Sequence, residues 1–121
     1  MLCYDSTTIK KARTQSMVKE LTYTEYKQNP GVSDGITVID FYRSDCGPCK
    51  AVAPEIEKVS EARKDIKVFS VNAEEEPELA EEFRVMATPT ILILKDKAVK
   101  KKFMGFKSAD SIISIIETIE G

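Results

Sequence analysis

The segment Ile36–Tyr42, with the sequence ITVIDFY, limits the fold of this chain more than any other segment. It is rich in β-branched and aromatic residues and is almost continuously apolar, which is typical of a central strand buried on both faces. Over residues 49–63 the apolar side chains instead recur at helical spacing, so a helix is predicted there, with a kink at Pro54. A doubly buried strand followed by an amphipathic helix indicates an α/β fold.

The remaining segments extend this alternation of strands and helices. Residues 17–21 predict a short edge strand, and Thr22 with Glu25 forms a capping-box pattern for a helix to residue 28, stopped by Asn29-Pro30-Gly31. The further predicted elements are strands at 66–71, 90–94 and 98–104, a helix that opens in the acidic run at 74–78 and ends at 83, and a last helix capped by Ser108. Residues 95–97 are short enough to make the last two strands an antiparallel hairpin, whereas crossover helices require parallel pairs earlier. The predicted order is β-α-β-α-β-α-β-β-α, a central mixed sheet flanked by helices on both faces.

The length of 121 residues suits one domain. Residues 1–16 lack periodicity and are interpreted as an N-terminal extension, so the domain is placed at residues 17–121. The first twenty residues contain no apolar stretch of seven, and no run of 18 apolar residues occurs, so neither a secretory signal nor a membrane span is expected. Residues 6–19 hold Ser, Thr, Lys and Arg but no acid, and a transit peptide is the alternative interpretation. We therefore expect a cytoplasmic protein.

The charge balance limits the classes of partner. Eighteen basic and twenty acidic residues leave a net charge of −2, which argues against nucleic acid or an anionic membrane as a partner. The chain has no His, so an imidazole base or a His-ligated metal is excluded within one chain. For the acidic run at 74–78, a solvated helix start is favoured over the alternative of a cation site.

The sharpest chemical signal is the sequence Cys46-Gly47-Pro48-Cys49, which lies after the buried strand and at the start of a helix. The free N–H groups and positive end of a helix stabilise a thiolate, and only a thiolate attacks a disulfide, so Cys46 is the expected nucleophile. Cys49, inside the helix, would be more buried and would resolve the mixed disulfide. The alternatives are a zinc half-site, for which Cys3 alone could supply a further thiolate, and a pair of unreactive thiols. The lack of a His between the cysteines favours a reductant over an oxidant.

Three segments together resemble the thioredoxin family. Residues 37–61 (TVIDFYRSDCGPCKAVAPEIEKVSE) resemble its active-site region, residues 83–90 (FRVMATPT) its segment with a cis-proline, and residues 103–106 (FMGF) its last-strand motif with a glycine. The similarity covers about residues 17–121, and it implies the thioredoxin fold.

The resemblance also implies roles for single residues. Cys46 would be the nucleophile and Cys49 the resolving thiol, and Asp40, beneath their disulfide, would help to take the proton from Cys49. The substrate-contacting residues would be Asp45, Gly47, Pro48, Thr88, Pro89 and Gly105, with Pro89 in the cis form, the Thr88 backbone pairing with an extended substrate, and Gly105 allowing its close approach. The alternatives left open are a strand-edge acid without a role for Asp40, a plain strand-start proline for Pro89 and a simple bulge at Gly105.

Three positions depart from the family pattern. Asp45 stands where the family usually has Trp before the first cysteine, Tyr42 replaces its other usual Trp, and Ser70 replaces a Lys that commonly lies near the buried Asp. These changes affect recognition by the usual reductase and targets, but they remove no atom that the exchange chemistry needs. Cys3 matches nothing in the motif and is interpreted as incidental.

We therefore expect a monomeric thiol-disulfide oxidoreductase that reduces protein disulfides. Its only redox group would be the Cys46–Cys49 disulfide, with no metal or other cofactor. Its partners would be disulfide-containing proteins and a thioredoxin reductase or equivalent electron donor. The alternative is a redox-inactive or partner-dedicated thioredoxin-like binding module.

Overall fold

The computed structural model describes residues 18–28 and 35–121. The described strands are β1 (Val18–Glu20), β2 (Ile36–Tyr42), β3 (Lys67–Asn72), β4 (Thr90–Lys95) and β5 (Ala98–Met104). The described helices are α1 (Tyr23–Gln28), α2 (Gly47–Ala62), α3 (Pro77–Glu82) and α4 (Ala109–Glu120). The predicted N-terminal extension at 1–16, Met17 of the first predicted strand, Cys3 and the stop signal at 29–31 lie outside the described residues.

The strands form one mixed sheet in the order β1-β3-β2-β4-β5. Strands β1 and β2 each pair with β3 in parallel, whereas β4 is antiparallel to both β2 and β5. The predicted element order and the late antiparallel hairpin are both confirmed. Since β2 lies at the centre, its residues from Ile36 to Phe41 are all buried.

Side chains alternate between the two faces of β2, and each face has its own apolar core. Val38 packs with residues of α2 and α4, which cover one face of the sheet. Ile39 and Phe41 pack with residues of α1 and α3, which cover the other. The prediction of helices on both faces is therefore confirmed. Asp40 shares the side of Val38, so its carboxyl points into the layer that contains α2.

Local capping confirms two of the predicted helix starts. The Thr22 hydroxyl accepts the Glu25 N–H at 3.1 Å, and the Glu25 carboxylate accepts the Thr22 N–H at 3.2 Å, so the capping box is formed. The Ser108 hydroxyl accepts the N–H of Ser111 at 3.2 Å and caps α4.

Two other helices start at residues other than those predicted. Helix α2 begins at Gly47, before the predicted residue 49, because Cys46 is its N-cap and a proline in the first turn loses no helical hydrogen bond. Helix α3 begins at Pro77 and not within residues 74–76. The side-chain oxygen of Asn72 accepts the N–H groups of Glu74 and Glu75, which makes that part of the acidic run a turn.

Among the described residues, no helix is long and apolar enough to cross a membrane.

Candidate active site

Cys46 and Cys49 form a disulfide at the N-terminus of α2, with their Cα atoms 5.2 Å apart. Cys46 is the N-cap residue and is half-buried, and its Sγ accepts the N–H of Cys49 at 3.2 Å. Cys49 lies inside the first turn and is only 3% exposed. The outer sulfur therefore meets solvent and the helix N-terminus, while the inner sulfur is covered, as the sequence predicted.

The register of the sheet brings two more segments to this disulfide. Phe41 at the end of β2 pairs with Thr90 at the start of β4, and Thr90 pairs with Met104 at the end of β5. The loop after β2, the segment before β4 and the residues after β5 therefore meet at one edge of the sheet. Sequence spacing alone does not reveal this convergence, because it depends on how three strands pair.

The segment before β4 carries the expected cis-proline. The Thr88–Pro89 peptide bond is cis, Pro89 is buried, and the Thr88 carbonyl oxygen lies 3.7 Å from Cys46 Sγ. This confirms the expected cis conformation of Pro89.

Gly105 follows β5 and joins the same site. Its N–H donates to the Pro89 carbonyl oxygen at 2.8 Å, and its φ of +95° lies in the region that favours glycine. A Cβ built at Gly105 meets no atom within 4 Å, so open space lies beside the backbone. The register shift between β4 and β5 lies at Ile93/Leu94, away from Gly105.

A groove of about 560 Å³ runs from Thr88 along the N-terminal part of α3. Its lining is about equally polar and apolar, with Glu78 and Glu81 on α3 and Arg43 as the charged members. Met86, which also lines it, is 89% exposed. Such a groove beside the disulfide can hold an extended polypeptide segment.

Asp40 is buried on the α2 side of the sheet and is 2% exposed. Its Oδ1 has no hydrogen-bond partner among the described residues, and the residue next to it on β3 is the uncharged Ser70. Burial, reinforced by the carboxylate of Glu20, raises the pKa of Asp40 from 3.8 to about 7. Asp40 and Cys49 line one cavity of about 430 Å³, so the carboxyl and the inner cysteine border the same space.

The loop that presents Cys46 is held by contacts that the sequence does not predict. Arg43 lies 3.3 Å from a carboxylate oxygen of Glu74 and 3.9 Å from one of Asp45, and the Ser44 hydroxyl donates to Glu74 at 3.0 Å. Asp45 is 79% exposed, and Gly47 and Pro48 beside it are exposed as well. Because Arg43 and Glu74 are thirty-one residues apart, no local pattern signals this pair.

Within the part of the chain that the structure describes, no three His, Cys, Asp or Glu side chains converge as a metal site would require. The arrangement instead suits thiol-disulfide exchange. In this reaction the accessible sulfur at the helix start forms the mixed disulfide with the other molecule, and the covered sulfur resolves it. The fold and the cysteine pair therefore define a thiol-disulfide oxidoreductase.

Comparisons with known proteins agree with this class. The family model described as thioredoxin matches residues 17–118. A thioredoxin of Listeria monocytogenes is 36% identical over 101 residues, which are 83% of this chain and 96% of that protein. The crystal structure of thioredoxin F from spinach chloroplast superposes with a TM-score of 0.76 at 30% identity, covering 88% of this chain and 96% of that one. A structure of a ferredoxin:thioredoxin reductase and thioredoxin f2 complex matches with a TM-score of 0.75 at 30% identity, covering 87% and 96%. The chain belongs to the thioredoxin family.

The raised pKa of Asp40 makes stability depend on pH in a defined direction. The native state keeps a proton on Asp40 up to about pH 7, whereas the unfolded chain releases it from about pH 4 upward. Because of Asp40, the free energy of unfolding therefore falls as the pH rises from about 4 to about 7. We predict that Asp40→Asn is more stable than the parent by roughly 2–4 kcal/mol at pH 8, and that the difference shrinks towards pH 4. Urea unfolding at pH 4, 6 and 8 measures both effects.

Glu61→Gln, which neutralises an exposed carboxylate of α2, is the matched control and should change stability little at any of these pH values. If Asp40→Asn were less stable than the parent at pH 8, Asp40 could not be an unpaired buried acid.

Proposed function

We propose that this protein reduces disulfides of other proteins, with Cys46 as the attacking thiolate and Cys49 as the resolving thiol. The observation that carries the proposal is the asymmetry of the pair. Cys46 is accessible at the N-cap, where the Cys49 N–H points at its sulfur, whereas Cys49 is covered. A thiolate is favoured at the first position and a protonated, protected thiol at the second.

The reaction proceeds in two exchanges. The Cys46 thiolate attacks a substrate disulfide and forms a mixed disulfide, which releases the first substrate thiolate. Asp40, as a carboxylate, then accepts the proton of Cys49 through water in their shared cavity, and the Cys49 thiolate attacks Cys46 Sγ. The second substrate thiolate leaves, and the Cys46–Cys49 disulfide forms. The protein uses no redox group besides this disulfide.

The substrate segment would lie extended between the Thr88 and Gly105 backbones. The position of Thr88 O next to Cys46 Sγ and the open space beside Gly105 support this placement. Gly47 and Pro48 offer an exposed, uncharged surface on the other side of the sulfur, and the groove along α3 continues the path.

The electron donor that we propose is a thioredoxin reductase or an equivalent enzyme. One matched structure is a complex of ferredoxin:thioredoxin reductase with thioredoxin f2, which shows that a relative with this fold docks to such a donor. We further propose a cytoplasmic monomer that binds neither nucleic acid nor membranes, in line with the net charge of −2. The alternative of a redox-inactive binding module is not favoured, because both cysteines are present and paired.

Replacing each cysteine by serine separates the two roles. We predict that Cys46→Ser lowers insulin reduction with dithiothreitol on the order of 100-fold or more, since a serine hydroxyl without a base is a poor nucleophile. Cys49→Ser should keep the first attack and accumulate the mixed disulfide, which mass spectrometry detects after mixing with a disulfide peptide. Cys3→Ser is the control and should leave the rate unchanged. Accumulation of the mixed disulfide in Cys46→Ser instead would reverse the assigned roles.

Asp45 is expected to tune the reactivity of Cys46 in this chain. A carboxylate roughly 7 Å from the sulfur, at an effective dielectric of about 40, disfavours the thiolate by about 1 kcal/mol. The Arg43 guanidinium, 3.9 Å from Asp45, offsets part of this effect. A disfavoured thiolate makes the dithiol less stable and the protein a stronger reductant. The same charge should repel substrates with acidic residues near their cysteines.

We therefore predict that Asp45→Asn, made in a Cys3→Ser background, moves the titration of the Cys46 thiolate down by a few tenths of a pH unit. Its reduction potential should rise by roughly 10–20 mV. Thiolate absorbance against pH and equilibration with glutathione measure the two shifts. Glu78→Gln, which removes a charge on α3 further along the groove, serves as the comparison. A thiolate titration that stayed in place or moved up in Asp45→Asn would contradict this electrostatic account.

A further inference from the structure

A second carboxylate, Glu20, borders the cavity that holds Asp40 and Cys49. Glu20 on β1 pairs with Ser70 on β3, and Ser70 pairs with Asp40 on β2. Residues paired in register project to the same face of a sheet, so the two carboxylates stand in one row, with only the Ser70 side chain between them. Their Cα atoms are two strand spacings, or about 10 Å, apart. Glu20 is exposed, which places it on the solvent side of the cavity.

A hydrogen bond fixes Glu20 in this position. The Tyr42 hydroxyl donates to Glu20 Oε2 at 3.0 Å. Tyr42 lies two residues after Asp40 on β2, so it projects to the same face and lines the same cavity. Burial, with the bond to Glu20, raises the pKa of Tyr42 to about 12, so the phenol remains a donor throughout the neutral range. An exposed glutamate would otherwise sample several rotamers, and the bond limits it to one wall of the cavity.

The other groups that face the cavity leave Asp40 without a directly bonded cation. Those with charge are Arg43 in the loop after β2 and Lys50 and Glu57 on α2. Arg43 is engaged with Asp45 and Glu74, and Lys50 is exposed.

The remaining titrating group that lines the cavity, Cys49, is held in the disulfide. Ser70, the residue next to Asp40 on β3, contributes no charge. Burial and the Glu20 carboxylate, in that order, raise the pKa of Asp40.

We propose that Glu20, anchored by Tyr42, is a positioning residue that keeps Asp40 protonated near neutral pH in the oxidised protein, so that Asp40 can donate a proton to Cys49 when the disulfide is reduced. The inference rests on the function proposed above and assigns a residue to the step in which the electron donor reduces the Cys46–Cys49 disulfide.

A donor thiolate attacks Cys46 Sγ, a new S–S bond forms there, and the Cys46–Cys49 bond breaks. The electron pair leaves on Cys49 Sγ, which takes the Asp40 proton through water, and Asp40 becomes a carboxylate. Reduction is then completed when the second thiol of the donor attacks the mixed disulfide and releases the Cys46 thiolate.

The direct test follows the Asp40 carboxyl carbon by NMR as pH is varied in the oxidised protein. In Glu20→Gln its titration midpoint should fall by roughly half a pH unit, as expected for one charge removed at about 10 Å. Glu20→Asp keeps the negative charge, so its Asp40 midpoint should lie close to that of the parent protein. Ser70→Lys introduces a cation next to Asp40 and should lower the midpoint as well. Glu61→Gln removes the same charge from α2 outside the cavity and should leave the midpoint unchanged.

A kinetic test uses dithiothreitol as the donor, with alkylation and mass spectrometry to count reduced protein. At pH 7 the Glu20→Gln disulfide should be reduced about twofold more slowly, because about half as much Asp40 is protonated. A midpoint that does not move in Glu20→Gln, or that moves equally in Glu61→Gln, would overturn the proposal. The NMR titration requires no turnover, so its result remains readable even if the protein failed to reduce any protein disulfide. That failure would overturn the proposed function instead.

Discussion

Strand β2 is covered by helices on both faces, and this forces its one acidic residue, Asp40, into the interior. Apolar burial is the main driving force for such a layered arrangement, and it outweighs the cost of one neutral carboxyl group. The cost is limited because burial raises the pKa of Asp40 to about 7, so the group stays largely uncharged up to neutral pH. A residue that weakens the core therefore has a pKa near neutral pH and lines the same cavity as the inner cysteine.

The same strand order assembles the rest of the site. Pairing β2 with β4, and β4 with β5, places Cys46, the cis Thr88–Pro89 bond and Gly105 at one edge of the sheet. One sulfur is accessible there, and backbone groups from two other segments surround it. The departures from the family pattern at Asp45 and Ser70 change the charges around this sulfur, but they do not change the backbone segments that surround it. Differences in partner and in reactivity are therefore expected to lie in the electrostatics of the site.

Local features of the sequence were sufficient to predict most of the fold. The apolar run in β2 and the caps at Thr22 and Ser108 each depend on residues within a few positions, and all three are confirmed. The start of α3 was predicted too early because the acidic run reads as a helix start, while the Asn72 side chain holds it in a turn. The cysteine pair could be predicted from its two-residue spacing at a helix start, whereas the cis form of Pro89 could be predicted only from the family resemblance.

Contacts between distant residues explain what could not be predicted. The bonds from Tyr42 to Glu20 and from Arg43 to Glu74 each join residues more than twenty positions apart, and exposed Glu and Arg residues carry no pattern that selects one partner over another. Both bonds depend on strand register, which sets which side chains become neighbours. They are also the contacts that give this site its particular charge distribution.

The central claim is that position on α2 makes the two cysteines chemically unequal. Competition for limiting iodoacetamide tests it most directly, using the fully reduced protein at neutral pH in a Cys3→Ser background, with each cysteine quantified by peptide mass spectrometry. The account predicts that Cys46 is alkylated well before Cys49, since it is the accessible N-cap thiolate and Cys49 is covered. Equal labelling of the two, or faster labelling of Cys49, would contradict it.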